Sequence, residues 1–217
     1  MSNFTTNPWV ANPFTINPWS PIAPLKFTNT GATLDPYIVI SGDCEILWTW
    51  SDGTTDNVAN PGEKTLTGTH TLVVTPWSAV IKIDIDGRNL IGDFITQEWS
   101  NLVLLHMYSN SLTGKFIIRE WLKLTQIYIN NNSFTSISGS LQTQILLSIC
   151  QLQDNNISSQ SEIDKVFSDL LVNAADTGRT AVCNVNTSGT NMSAPSAAGI
   201  ADASELVTTY GWTVTHS

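Results

Sequence analysis

"LLHMYSNSLTGKF", from Leu104 to Phe116, is echoed by "TQIYINNNSFTSI", from Thr125 to Ile137. In both, an apolar run in period two leads to an asparagine, and another apolar residue stands two positions further on. One copy alone reads as a strand followed by a turn. Two copies in step read as a repeat, and aligning on the asparagines extends it in both directions. Leu102-x-x-Leu105-x-Met107-x-x-Asn110-x-Leu112 is followed after 22 residues by Leu124-x-x-Ile127-x-Ile129-x-x-Asn132-x-Phe134. After 23 more comes Leu147-x-x-Cys150-x-Leu152-x-x-Asn155-x-Ile157. Stepping back 22 from the first gives Val80-x-x-Ile83-x-Ile85-x-x-Arg88-x-Leu90, with Arg88 in place of the asparagine.

The intervening segments keep the same register. "GDFITQEWSNL" from Gly92 and "GKFIIREWLKL" from Gly114 agree at Gly, Phe, Ile, Glu, Trp and the final Leu. Trp77, Trp99 and Trp121 are each 22 residues apart. Each unit offers one short strand and one apolar side that it cannot bury alone; stacked copies bury it continuously. The asparagine belongs where the chain leaves the strand. Its amide carries both donors and an acceptor for turn backbone groups that would otherwise be buried unpaired. Asn110, Asn132 and Asn155 are therefore expected to form a structural ladder.

The pattern LxxLxLxxNxL at this period resembles the leucine-rich repeat family across about residues 77–160. "NSLTGKF" is similar to the variety in which Leu-Thr-Gly follows the asparagine region. The resemblance implies a short parallel β-sheet on a concave face and looser structure on the convex side.

Outside the repeat the patterns differ. Residues 1–24 carry Asn7-Pro8-Trp9, Asn12-Pro13-Phe14 and Asn17-Pro18-Trp19, recurring every five residues. Proline at this density opposes helix and central strand and keeps the preceding residues extended. An extended arm is expected, with Trp9, Phe14 and Trp19 as an assembly anchor. Those rings pack either on their own domain or on another subunit. Residues 25–76 read as an antiparallel β-module, with strands at Tyr37–Ile40, Glu45–Trp50 and His70–Thr75 between turn-rich stretches. Ile46, Trp48 and Trp50 share one face by period two.

From Ser159 the period becomes helical. Ser159 and Glu162 have the spacing of a capping box, and Ile163, Val166, Phe167, Leu170 and Leu171 follow helical spacing to about Asn173. A strand is expected over Thr180–Val185, a helix over Ala198–Thr209 ending at Gly211, and a last strand over Trp212–Thr215. The expected fold is mainly β with some α: an arm (1–24), a β-module (25–76), four repeats (77–157) and an α/β cap (158–217) able to extend the repeat's sheet.

Composition narrows the function. Only 12% of residues are charged and the net charge is −9 with nine Lys and Arg, so a phosphate backbone and an anionic membrane surface are both repelled. No apolar stretch approaches membrane-spanning length. The N-terminal "MSNFTTNPWVANPF" lacks the basic and apolar regions of a secretory signal, so none is expected. Cys44, Cys150 and Cys183 are far apart and odd in number, which indicates neither a zinc site nor a disulfide framework. They read as small buried residues.

Alternation along each strand selects the side chains that leave the core. One lateral row is Asp84, His106, Tyr128 and Gln151; the next is Asp86, Tyr108, Asn130 and Gln153; a third is Lys82, Leu104, Gln126 and Ile149. The first two rows read either as an ordinary solvated sheet face or as a binding face for a host-surface glycan or protein, since Tyr and Asn recur in adaptable paratopes. Asp84 and Asp86 form a D-x-D pair able in principle to share a metal or transfer protons, but no third acid is near them in sequence. His70, His106 and His216 have no nucleophile or ligand spacing around them, and the motifs of nucleotide, phosphate and serine-hydrolase sites are missing from the chain. No catalytic residue, metal or cofactor is expected.

These readings converge on a non-enzymatic structural and recognition protein. The layout of docking arm and distal domain resembles phage spike or tail-tip adhesins. That resemblance implies a virion-surface component, a trimer or pentamer held to other virion proteins by its arm. The alternative is a secreted or cell-surface bacterial leucine-rich repeat adhesin.

Overall fold

The structure is a computed structural model that describes residues 24–31, 33–177 and 183–217. The proposed anchor residues Trp9, Phe14 and Trp19 lie outside the described residues, as does the start of the strand expected from Thr180.

Fifteen strands and two helices are described. The first seven strands are β1 (Leu25–Asn29), β2 (Tyr37–Ile40), β3 (Glu45–Thr49), β4 (Thr55–Asp56), β5 (Gly68–Thr75), β6 (Val80–Asp84) and β7 (Leu90–Asp93). Then come β8 (Leu104–His106), β9 (Ser111–Thr113), β10 (Lys115–Ile117), β11 (Gln126–Tyr128), β12 (Ser136–Ser138) and β13 (Ile149–Gln151). The C-terminal part holds α1 (Gln160–Thr177), β14 (Asn184–Asn186), α2 (Ala197–Tyr210) and β15 (Thr213–Thr215).

The chain winds as a β-solenoid-like arrangement of about three turns with parallel sheets. The principal sheet has seven strands in the order β15-β14-β13-β11-β8-β6-β2. All its neighbours run parallel except β2, which lies antiparallel to β6. Its inward row runs Ile38, Ile83, Leu105, Ile127, Cys150, Val185 and Val214, each paired with the next across the ladder. All but Val214, on the end strand, are buried. The 22-residue period thus works by matching register: one full coil returns the same side chain to the same depth.

Opposite this sheet the coils are held by β7 with β9, parallel, and β10 with β12, parallel. Between the walls lies the tryptophan column. Trp99 stacks on Trp121 with ring centroids 5.4 Å apart, and Trp77 meets Trp99 edge-on at 6.4 Å. Phe116 adds a tilted contact to Phe134 at 5.5 Å. Large rings recurring at one place in each coil pack against one another between the walls, as a stacked coil requires.

The asparagines close the turns between the walls. Asn110 Oδ1 accepts the N–H groups of Arg88 and Leu90, each at 3.0 Å, while its Nδ2 donates to the Ile85 and Met107 carbonyls at 2.9 and 3.1 Å. Asn155 repeats the scheme with Phe134 N–H as donor and Ile129 and Leu152 carbonyls as acceptors. The residue before each of these turn positions is left-handed: Gly87, Ser109, Asn131 and Asp154 have φ of 60°, 56°, 53° and 56°. The turn therefore repeats in backbone geometry even where Arg88 breaks the sequence pattern.

Both sheets continue across positions 76 and 77. β1 pairs with β5 and β7, and β2 pairs with β6, so residues 25–76 share their sheets with the repeat. The remaining strands give a six-stranded sheet, β4-β3-β5-β1-β7-β9, in which Trp48 and Trp50 stack at 5.3 Å.

The last two coils carry helices in their returns, α1 between β13 and β14 and α2 between β14 and β15. The expected capping box does not form. Glu162 instead reaches across to β12, where Oε1 accepts the Ser136 hydroxyl at 2.8 Å and Oε2 accepts the Ile137 N–H at 2.9 Å. A carboxylate facing unpaired strand-edge donors has a stronger partner there than its own helix end. Helix α1 also runs one turn beyond Asn173, to Thr177. Helix α2 has Ser196 accepting the Ala198 and Gly199 N–H groups at its start and Gly211 at φ 69° at its end. No helix among the described residues is long and apolar enough to cross a membrane.

Candidate binding face

The outer side of the seven-stranded sheet carries the rows read from the sequence. Cross-strand pairing sets Asp84 beside His106, His106 beside Tyr128, and Tyr128 beside Gln151. The structure lengthens this row at both ends, with Tyr37 beside Asp84, and Asn186 and Thr215 beyond Gln151. Tyr37 was missed because its strand lies outside the repeat and runs antiparallel, so no period connects it to Asp84.

The second row also stays lateral, because the ladder continues past the strand ends. Gly87 N–H donates to Tyr108 O, Ser109 N–H to Asn130 O, and Asn131 N–H to Gln153 O, all at 2.9–3.0 Å. Asp86, Tyr108, Asn130 and Gln153 are held one coil apart by these bonds.

Several of the side chains are already engaged. Lys82 Nζ lies 2.8 Å from Asp84 Oδ2 and 5.1 Å from the centre of the Tyr37 ring. His106 has Nδ1 3.8 Å from Asp84 and Nε2 3.4 Å from Gln126 Oε1. Gln151 donates to Asn184 Oδ1 at 3.0 Å. The rings of His106 and Tyr128 meet edge-on at 4.9 Å, and those of Tyr108 and Tyr128 are tilted at 6.2 Å.

At the centre His106, Tyr108, Tyr128 and Asn130 line an open depression of about 370 Å³. Four of the eight side chains selected from the sequence for this face thus come together. Asp84 and Asp86 adjoin them, through His106 and Tyr108, and Gln151 and Gln153 lie on the next coil. Asn130 is only 9% exposed, and its Oδ1 has no hydrogen-bond partner. The buried Gln153 Oε1 is also unpartnered.

The two carboxyls differ in acidity. His106 first, and then Asp86 and Lys82, hold Asp84 well below the usual carboxylate range. Asp86 is raised, first by its interaction with Asp84 and then by burial. Tyr108 is raised by facing Asp86. The pattern is that of two interacting carboxyls, one of which, Asp84, pairs with Lys82. Among the described residues no group of three or more His, Cys, Asp or Glu side chains is arranged to hold a metal ion.

Compared with known families and curated proteins, the chain matches no family model and no curated sequence.

Proposed function

We propose that the protein is a non-enzymatic recognition protein of leucine-rich-repeat type, presenting the outer face of its seven-stranded sheet to a host-surface ligand. The observation that carries this reading is the depression lined by His106, Tyr108, Tyr128 and Asn130. It combines aromatic surface with convergent polar groups, the composition of a small-molecule or loop-binding site. Its lining comes from two adjacent coils, so its shape is inherited from a rigid, buried repeat rather than from loops. The 22-residue period, parallel strands and asparagines at the strand exits support the repeat assignment.

The place of display rests on the sequence. The proline-aromatic arm and the neutral-polar composition support a spike or tail-tip component of a phage virion, oligomeric through residues 1–24 and docked there on other virion proteins. Solution mass with and without residues 1–24 tests the anchor, and loss of assembly on truncation is expected. Unchanged mass would remove the arm's role and leave the bacterial adhesin as the better placement.

The binding face is tested separately. Labelled protein should adhere to its host envelope, and Tyr128→Ala should abolish adhesion without lowering the melting temperature by more than a few degrees. Undiminished adhesion by a folded Tyr128→Ala variant would overturn the assignment.

A further inference from the structure

The buried side-chain atoms without a partner in and beside the depression, Asn130 Oδ1 and Gln153 Oε1, are both acceptors. Asp86 forms none of the ion pairs found among the described residues, and the nearby Lys82 is committed to Asp84 at 2.8 Å. Asn130, nine-tenths buried in the lining, keeps an unpartnered Oδ1, and on the adjoining coil Gln153 keeps an unpartnered Oε1. Strands β8, β11 and β13 bring no lysine or arginine to this face. A ligand that satisfies the site must supply a donor to these acceptors, and a positive charge complements two neighbouring carboxyls that have one lysine, Lys82, paired with Asp84.

We propose that the depression is a seat for an amino sugar with a free ammonium group. The inference rests on the reading of this face as a binding surface and adds the chemical class of what it takes. The ammonium sits against Asp86 and the ring face of Tyr108, where carboxylate and aromatic quadrupole act together. The same face already shows that pairing in miniature, with Lys82 between Asp84 and the Tyr37 ring. The sugar's C–H surface stacks on Tyr128, and its hydroxyls donate to the orphaned acceptor of Asn130. A neutral sugar offers the hydroxyls but brings no charge to the Asp84 and Asp86 carboxyls. A lysine side chain offers the charge but no hydroxyls. The net charge of −9 further favours a cation over an anion.

The experiment is an NMR titration of the intact protein with glucosamine, glucose, N-acetylglucosamine and Nα-acetyl-lysine methylamide. Glucosamine should bind at least about tenfold more tightly than either neutral sugar, and more tightly than the lysine derivative. Raising salt should weaken it, because the charge contact is solvent-facing. Asp86→Asn should remove the preference for glucosamine over glucose while keeping its fold, read from its melting curve. Asp154→Asn, an exposed carboxylate away from the depression, should leave it intact. Equal binding of glucose or N-acetylglucosamine overturns the charge requirement. Tighter binding of the lysine derivative overturns the sugar. If adhesion to the host depends on Tyr128 but no probe depends on Asp86, the inference fails and the recognition function stands.

Discussion

Asn132 Oδ1 accepts the N–H of Leu112 at 3.1 Å, across the boundary between one coil and the preceding one. The same side chain donates from Nδ2 to the Met107 carbonyl of the preceding coil at 2.9 Å and to the Ile129 carbonyl of its own coil at 3.0 Å. Asn132→Ala strands buried groups on both coils at once. A loss of about 3 kcal/mol is expected in chemical denaturation, since each unmet buried group costs about 1–3 kcal/mol. An unchanged midpoint would mean that the ladder is not what holds the coils in register.

The left-handed residue before each ladder position gives a second test. Ser109 has φ 56°, a region that costs an L-residue with a β-carbon about 1–2 kcal/mol. Gly87 already occupies the equivalent place in the preceding coil. Ser109→Gly should be neutral or stabilising, and Ser109→Val should destabilise by about 1–2 kcal/mol. Thermal melts of the pair suffice, and a valine variant as stable as the glycine variant contradicts the turn geometry.

Glu162 docks helix α1 on the repeat through Ser136 and the Ile137 N–H. Hydrogen bonds to a charged group contribute about 1.5–3 kcal/mol, so Glu162→Ala should cost that much. Hydrogen exchange should rise selectively at the Ile137 amide. A uniform change across the chain, with no excess at Ile137, would show that the contact is incidental.

Asp86 predicts an unusual pH signature. Its folded value is raised by Asp84 and by burial, so the fold favours its protonated form. Ionising it therefore penalises the folded state increasingly as pH rises above the ordinary carboxyl value of about 3.9, and not below it. Asp86→Asn should raise the melting temperature at about pH 7, with the gain vanishing toward about pH 3. Asp84, held low by His106, behaves oppositely: its stabilisation is present above the ordinary value and is lost as pH falls through its lowered one. Asp84→Asn should lower the melting temperature at about pH 7. Melting curves of both variants from about pH 3 to 8 decide it, and a lowered melting temperature for Asp86→Asn at neutral pH refutes the assignment. Only Asp86 of the two carries this cost, and it adjoins the depression proposed as a binding site.

How much of this was legible in the chain follows from what repetition can encode. Leu105, Ile127 and Cys150 announce their depth by recurring at one spacing, and His106 and Tyr128 announce their exposure by alternating with them. Glu162 announces nothing: its spacing from Ser159 mimics a capping box, and only the nearness of β12 diverts it. Tyr37 likewise joins the Asp84 row through a strand with no periodic tie to it.

By itself, then, the order of residues determined the coil: its period, its inward rows, its tryptophan column and its turn asparagines. Burial alternates with a rhythm that short-range pattern can carry. Tertiary structure alone decided the pairing of β1 with β7 and β2 with β6, the turn of Glu162 toward β12, and the hollow between two adjacent coils. Those arrangements join segments far apart in the chain. Their stability comes from apolar surface and hydrogen bonds that exist only once the partners have met, so no local rhythm records them.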